Sequence, residues 1–160
     1  MTEVLLWLFV VNLGIAFGAG VYESRIEVPQ WLSFSQASGY RWNAVAARSA
    51  DVGLRFWVYV TTVPLTLLTV ASLVVAWWAP DVVRKWWLGA ATAALIDRVM
   101  TFSYFIPTMI RLTRGEPPGR SEAVAKALQW VRLGYFRHAA TLVAWLAALM
   151  AFYLMGRHGG

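Results

Sequence analysis

Apolar residues in this chain come in runs too long and too clean for a water-soluble domain. Val4 to Tyr22 carries no charged residue, and Phe56 to Pro80 is a second uncharged run. Each has about the length a helix needs to cross a bilayer's hydrocarbon core, the second with some tilt. Trp86 to Ile110 is a third, interrupted only by Asp97-Arg98. A fourth extends from about Ala127 to Gly156, with Arg132 near its start and Arg137-His138 further in. The pattern predicts an all-α fold: a single transmembrane domain over residues 1–160, built as an integral membrane four-helix bundle in up-down-up-down order. Its spans are expected at about 4–22, 56–80, 86–110 and 127–156.

The connections are unequal. Glu23 to Arg55 is the longest; Val28-Pro29-Gln30-Trp31 reads as a turn, Ser33 to Gly39 as a polar loop, and Tyr40 to Asp51 as a short interfacial helix feeding span two. Ala79-Pro80-Asp81 is tight, so spans two and three should be antiparallel neighbours. Gly115 to Gly119 reads as a turn, with helix four starting near Ser121. Trp7, Trp31, Trp57, Trp77, Trp78, Trp86, Trp87 and Trp130 are candidates for the interfacial aromatic belts.

Composition agrees with the pattern. Of 160 residues 59% are hydrophobic and only 14% charged, against about a quarter in a soluble domain. The net charge of +6 sits between the apolar runs, as in a protein placing charge against anionic headgroups, and no basic stripe or motif points to nucleic acid. Cysteine is absent, which excludes disulfides, thiolate chemistry and cysteine-ligated metals; His138 and His158 are too few for a poly-histidine centre. Met1-Thr2-Glu3 lacks the basic n-region of a signal peptide, so the first run reads as a retained span. The first and third loops hold Arg25, Arg41, Arg48, Arg55, Arg111, Arg114, Arg120 and Lys126; the opposite side holds Arg84, Lys85 and Arg157. The positive-inside rule then places the long loop inside and both termini outside, the expected setting being a bacterial cytoplasmic membrane.

Charges inside hydrocarbon must pair, line a polar cavity or perform chemistry. At 100° per residue, Asp97, Thr101, Tyr104, Thr108 and Arg111 fall within about 40° of one line. Arg55, Tyr59, Thr62, Thr66 and Thr69 form a comparable stripe on span two, Asn12 and Glu23 share a face of span one, and Gly134, His138, Thr141 and Trp145 align on span four. Antiparallel spans put Asn12, Asp97 and His138 near mid-membrane and Glu23, Arg55 and Tyr59 nearer the long loop. The expectation is a polar interior in two layers, with Asp97, Arg98, Arg137 and His138 as the catalytic candidates. Asn12, Glu23, Arg55, Tyr59, Thr62, Thr101, Tyr104, Thr141 and Trp145 are the substrate-lining candidates. The plainer alternative is that Asp97 neutralises an arginine, His138 is a hydrogen-bonding residue, and the threonines satisfy their own helices' carbonyls. Pro64 and Pro107 should kink their spans, and the Gly14/Gly18 face permits close packing, either within the chain or against a second copy or partner subunit.

A histidine beside a carboxylate can take a proton from a weakly acidic apolar molecule, and an arginine can stabilise the resulting oxyanion. The same groups suit a proton relay or a lipid-headgroup pocket. No metal is expected, since Glu23 lies at another depth from Asp97 and His138. No cofactor is required by these residues, and a bound quinone or haem is compatible with them. Gly18-Ala19-Gly20-Val21-Tyr22-Glu23 with Val28-Pro29, the Tyr104-Phe105-Ile106-Pro107 and Arg111-Leu112 region, and Trp130-Val131-Arg132 to Arg137-His138 resemble the anthrone-oxygenase-like family of small four-span membrane proteins. That resemblance implies a cofactor-independent oxygenase acting on a hydrophobic aromatic or quinone-like substrate, with membrane lipid and such a small molecule as its partners. It assigns no catalytic residue. An accessory or assembly subunit and a small proton-coupled carrier are the competing readings, the latter weakened by the lack of an internal duplication.

Overall fold

A computed structural model of the chain describes residues 1–114 and 120–158; the turn expected at 115–119 lies outside the described residues. Helix α1 spans Thr2–Trp31, a hairpin follows with strands β1 (Leu32–Ser35) and β2 (Gly39–Trp42), and α2 is the short helix Ala44–Ala50. Helix α3 covers 53–78, α4 covers 81–114, and α5 is Arg120–His158. The fold is all-α apart from the hairpin. Helices α1, α3 and α5 are long and apolar enough to cross a membrane; α4 is also long but carries Asp81, Arg84, Lys85, Asp97 and Arg98 along its length.

Several sequence expectations change. Val28 to Trp31 is not a turn but the last helical turn of α1, which continues through the wide turn ahead of Pro29. The polar loop after it is the hairpin, closed by Gly39 at φ +67, with Phe34 and Tyr40 facing each other at 5.0 Å. The helix expected from Tyr40 begins only at Ala44, where Asn43 caps it by accepting the Ala46 N–H at 3.0 Å. Helix α5 starts at Arg120, next to the expected Ser121, and runs past the end of the expected span at Gly156.

Helix α5 packs on α4 and α1, and α3 packs on the same two, so the four long helices close around a shared interior. In the half holding both termini and the α3–α4 connection, that interior is dry. Leu6, Phe9 and Leu13 of α1, Leu65 of α3, Val83 and Trp87 of α4, and Ala144, Ala148 and Ala151 of α5 are fully buried together. Ala90, Ala91 and Ala94 on α4 face the alanines of α5, and such small side chains let two backbones approach closely. Ala79 and Pro80 alone separate α3 from α4, the tight connection expected.

The other half is wound differently. Helices α1, α3 and α4 each contain a π-helical stretch, at Glu23–Glu27, Gly53–Thr62 and Thr101–Phe105. Each ends just before a proline: Pro29, Pro64 and Pro107. Proline removes one N–H and its ring crowds the carbonyl four residues back, and each wide stretch closes just ahead of it, with Val28 N–H donating to Glu23 O, Val63 N–H to Val58 O and Ile106 N–H to Thr101 O. At each of these places the helix continues through the wide turn. At Val60, whose carbonyl would have met the N–H that Pro64 lacks, the Asn12 amide from α1 donates at 2.9 Å.

Wide turns also rotate everything beyond them, because one extra residue in a turn shifts the helix face by about 100°. The predicted stripes break at these points. On α4, Asp97 and Thr101 are buried, but past the wide turn Phe105, Leu112 and Thr113 point inward while Arg111 is exposed. On α3, Trp57, Thr61 and Thr62 take the inner positions and Tyr59 is 72% exposed. The tryptophans divide as well. Trp7, Trp77, Trp78 and Trp86 are exposed as a belt requires, but Trp31, Trp87 and Trp130 are buried and Trp57 is half-buried.

Candidate functional site

All four long helices contribute to a cleft of about 440 Å³ in the π-wound half. Its floor is a chain of charges. Asp97 Oδ2 accepts from Arg98 Nε at 3.0 Å and from Arg98 Nη2. Asp97 Oδ1 faces Arg137 Nε at 3.8 Å, and Arg137 Nη2 faces Glu23 Oε2 at 3.9 Å. The Trp57 indole N–H donates to Glu23 Oε1 at 3.0 Å. The guanidinium of Arg137 also lies 4.4 Å from the Phe105 ring centroid and 5.8 Å from that of Trp57, a cation–π placement that holds it between the two carboxylates. Two positive and two negative groups make the array neutral, which is what allows it to exist in a low-dielectric interior.

His138 stands beside this array rather than in it. Its Nε2 shares a 2.9 Å hydrogen bond with Ser24 Oγ, and its ring lies over Gly20, where a Cβ would sit 2.5 Å from Cε1. Glycine at position 20 is thus what admits the imidazole against α1. The threonine hydroxyls are committed to their own helices: Thr61 to Trp57 O at 3.2 Å, Thr101 to Asp97 O at 2.8 Å and Thr141 to Arg137 O at 2.9 Å. These three therefore offer the cleft lone pairs and not protons.

Three donors or acceptors here have no hydrogen-bond partner in the protein: Arg98 Nη1, Asp97 Oδ1 and the Trp31 indole Nε1. All three residues line the cleft and are at least nine-tenths buried. A buried polar atom without a partner costs on the order of 1–3 kcal/mol; Asn12 Oδ1, Ser72 Oγ and Trp87 Nε1 are unmatched as well but lie off the cleft, so the cleft's three are those that a ligand there could meet. Trp31, Trp57, Phe105 and Trp130 supply flat apolar wall; Trp130 packs edge-on to Phe105 at 5.5 Å and to Trp31 at 5.9 Å.

Of the sequence candidates, Glu23, Thr62, Asp97, Arg98, Thr101, Arg137, His138 and Thr141 meet at this cleft. Asn12 is buried but serves Val60 on α3. Trp145 packs against Phe17 at 6.1 Å and against Gly14, whose missing Cβ would lie 3.1 Å from its ring. Gly14 is therefore covered from within the chain, whereas Gly18 opens outward. Arg55 and Tyr59 are exposed and Tyr104 is half-buried off the cleft, rotated away by the wide turns. The two expected layers merge, because Arg137 bridges Glu23 to Asp97. The expected Asp97–His138 pair does not form: among the described residues they share no hydrogen bond or ion pair, and Arg98 and Arg137 hold the carboxylate instead. No three His, Asp or Glu side chains among the described residues converge as a metal-binding group. Ser24, Trp31, Trp57, Phe105 and Trp130 were not among the sequence candidates as site residues. Ser24 was within view beside Glu23, but the others depend on where the wide turns fall.

No protein-family model, curated protein or solved structure matches the chain.

Proposed function

We propose that this is a four-span membrane protein, α4 being the fourth span, which binds a hydrophobic aromatic or quinone-like molecule in the cleft and moves a proton on it. The observation that carries the reading is the unmatched set of Arg98 Nη1, Trp31 Nε1 and Asp97 Oδ1 along an aromatic-walled cavity. Two buried N–H donors suit carbonyl or phenol oxygens, and the indole and phenyl faces suit a planar ring. His138 with Ser24 would act as the proton acceptor. Arg98, neutralised on one side by Asp97, would stabilise the oxyanion formed. The finer assignment, a cofactor-independent oxygenase in a bacterial cytoplasmic membrane with termini outside and the long loop inside, rests on the family resemblance and the arginine count.

The accessory-subunit reading is weakened by the pairing itself. Glu23, Arg137, Asp97 and Arg98 compensate one another within one chain, so no partner helix is needed to neutralise them. The test is direct: protein purified in mild detergent should carry, or bind on addition, an aromatic or quinone-like molecule detectable by absorbance and mass spectrometry. Arg98→Gln should weaken that binding at least tenfold. Retention of full affinity in this variant would remove Arg98 from the site. Because the native chain has no cysteine, single cysteines at positions 3, 36, 82 and 157 can report topology by labelling from either side. Positions 3, 82 and 157 should label together and 36 from the opposite face.

A further inference from the structure

The cleft has a side opening. Helices α3 and α4 pack together where Val63–Val75 meets Asp81–Met100. Toward the loop side Gly53–Thr62 and Ile106–Arg114 both line the cleft and pack little on each other. The edges of the gap are Val58 and Thr62 on α3 and Ile106, Met109 and Ile110 on α4, with Ile110 half exposed on the outer surface. At the loop end the Trp42 indole donates to Leu112 O at 3.3 Å and Arg48 Nε to Thr113 O at 2.9 Å, so the hairpin and α2 are pinned to the end of α4. The lining reaches the surface there too, at Gly53 and Arg114, but Arg48, Asp51 and Arg114 make that end polar, whereas the edges between α3 and α4 are mostly apolar.

We infer that the gap between α3 and α4 is a lateral portal through which the ligand enters from the membrane, and that the ligand is a neutral, acceptor-bearing ring carrying an alkyl or isoprenoid tail that stays in the portal. This rests on the binding reading above. Neutrality follows from the floor: its two arginines and two carboxylates already balance, so an anionic head would bring an uncompensated charge into a low-dielectric site. A carbonyl oxygen needs only the free N–H of Arg98 or Trp31. The tail follows from size and lining. About 440 Å³ suits one or two rings, near the lower end of small-molecule sites. An apolar part of the lining, Ile106, Met109 and Ile110, runs to an exposed surface of α4.

The experiment compares three probes on the full chain in nanodiscs: a benzoquinone with a ten-carbon tail, the same ring without the tail, and the tailed ring with a photoreactive diazirine in the tail. The tailed quinone should bind about tenfold more tightly than the tailless one after correction for partitioning, because a fitted portal packs the tail more closely than fluid lipid does. The diazirine should label residues 106–110 of α4 or 58–62 of α3. Ile110→Trp, at an exposed position that tolerates bulk, should cut the tailed-to-tailless affinity ratio about tenfold. If both rings bind equally and labelling falls elsewhere, the portal is wrong while the binding site stands. If neither ring binds the native chain, the binding reading fails and this inference with it. Labelling of 106–110 by a diazirine phospholipid that the quinone does not displace would assign the gap to lipid and overturn the proposal.

Discussion

The two halves of this bundle use the same four helices under opposite rules. In the half nearer the termini, α4 and α5 run as regular α-helix with small side chains at their contact, and the interior is dry: Ala90, Ala91 and Ala94 meet Ala144, Ala148 and Ala151 around Trp87. In the other half, three helices widen before prolines, large aromatic rings replace alanines, and a neutral array of four charges lies beside a cleft. Close packing leaves no room for a ligand. The wide turns open room and turn a different set of residues inward, so the departure from regular helix makes the site. π-Helical turns frequently mark functional positions for this reason.

The comparison breaks most severely at Asp97. Asp97→Ala leaves Arg98 and Arg137 buried with Glu23 as their remaining counter-charge, and should destabilise the protein by about 3–5 kcal/mol, read as a lowered unfolding midpoint in detergent. The paired change Asp97→Leu with Arg98→Met should cost clearly less than Asp97→Ala alone, because it removes charge and counter-charge together. Equal losses would mean that the array does not act as a neutral unit. Trp87→Ala, in the dry half, should cost about 3 kcal/mol by opening a cavity, yet leave affinity for an added quinone within about twofold. A larger change in affinity would show that the halves are not independent.

Gly20→Ala tests the seam between α1 and α5. A methyl group there would overlap the His138 ring, so the ring must leave Ser24 or the helices must part, at about 1–3 kcal/mol. The change should also move the 15N resonance of His138 Nε2. An unchanged resonance would show that the Ser24 hydrogen bond does not fix the ring.

What could be read from the sequence follows the same division. The long helices, three of them apolar enough to cross a membrane, the tight Ala79-Pro80 connection and the convergence of Glu23, Asp97, Arg98, Arg137 and His138 on one interior all follow from hydropathy and from the cost of charge in hydrocarbon. The faces beyond the wide turns do not. A periodicity of 100° per residue assumes an unbroken α-helix, so it carried Tyr59, Tyr104 and Arg111 inward and left Trp57 and Phe105 out. The prolines announced that something would happen at those places, but a kink and a wide turn relieve the same clash and send different residues to the interior. The hairpin at Leu32–Trp42 was hidden for another reason: its residues are mostly exposed, and two short strands leave little alternating pattern.

The smallest effect bears on the cause of the wide turn in α3. If Pro64 forces it, the Asn12 amide is there to serve a carbonyl that proline has deprived of a donor. Asn12→Val should then cost about 0.6 kcal/mol, typical of an interhelical hydrogen bond within a membrane bundle. Pro64→Ala restores an N–H four residues beyond Val60 and lets the helix close to regular α-winding. In that background the Asn12→Val cost should fall toward zero, since Val60 would have its own partner, and Tyr59 should become less exposed as the face rotates back. A double-mutant cycle measures the first and the accessibility of a cysteine at position 59 the second. Additive costs would separate Asn12 from Pro64. An unchanged position 59 would show that contacts with α1, rather than the proline, hold the wide turn open.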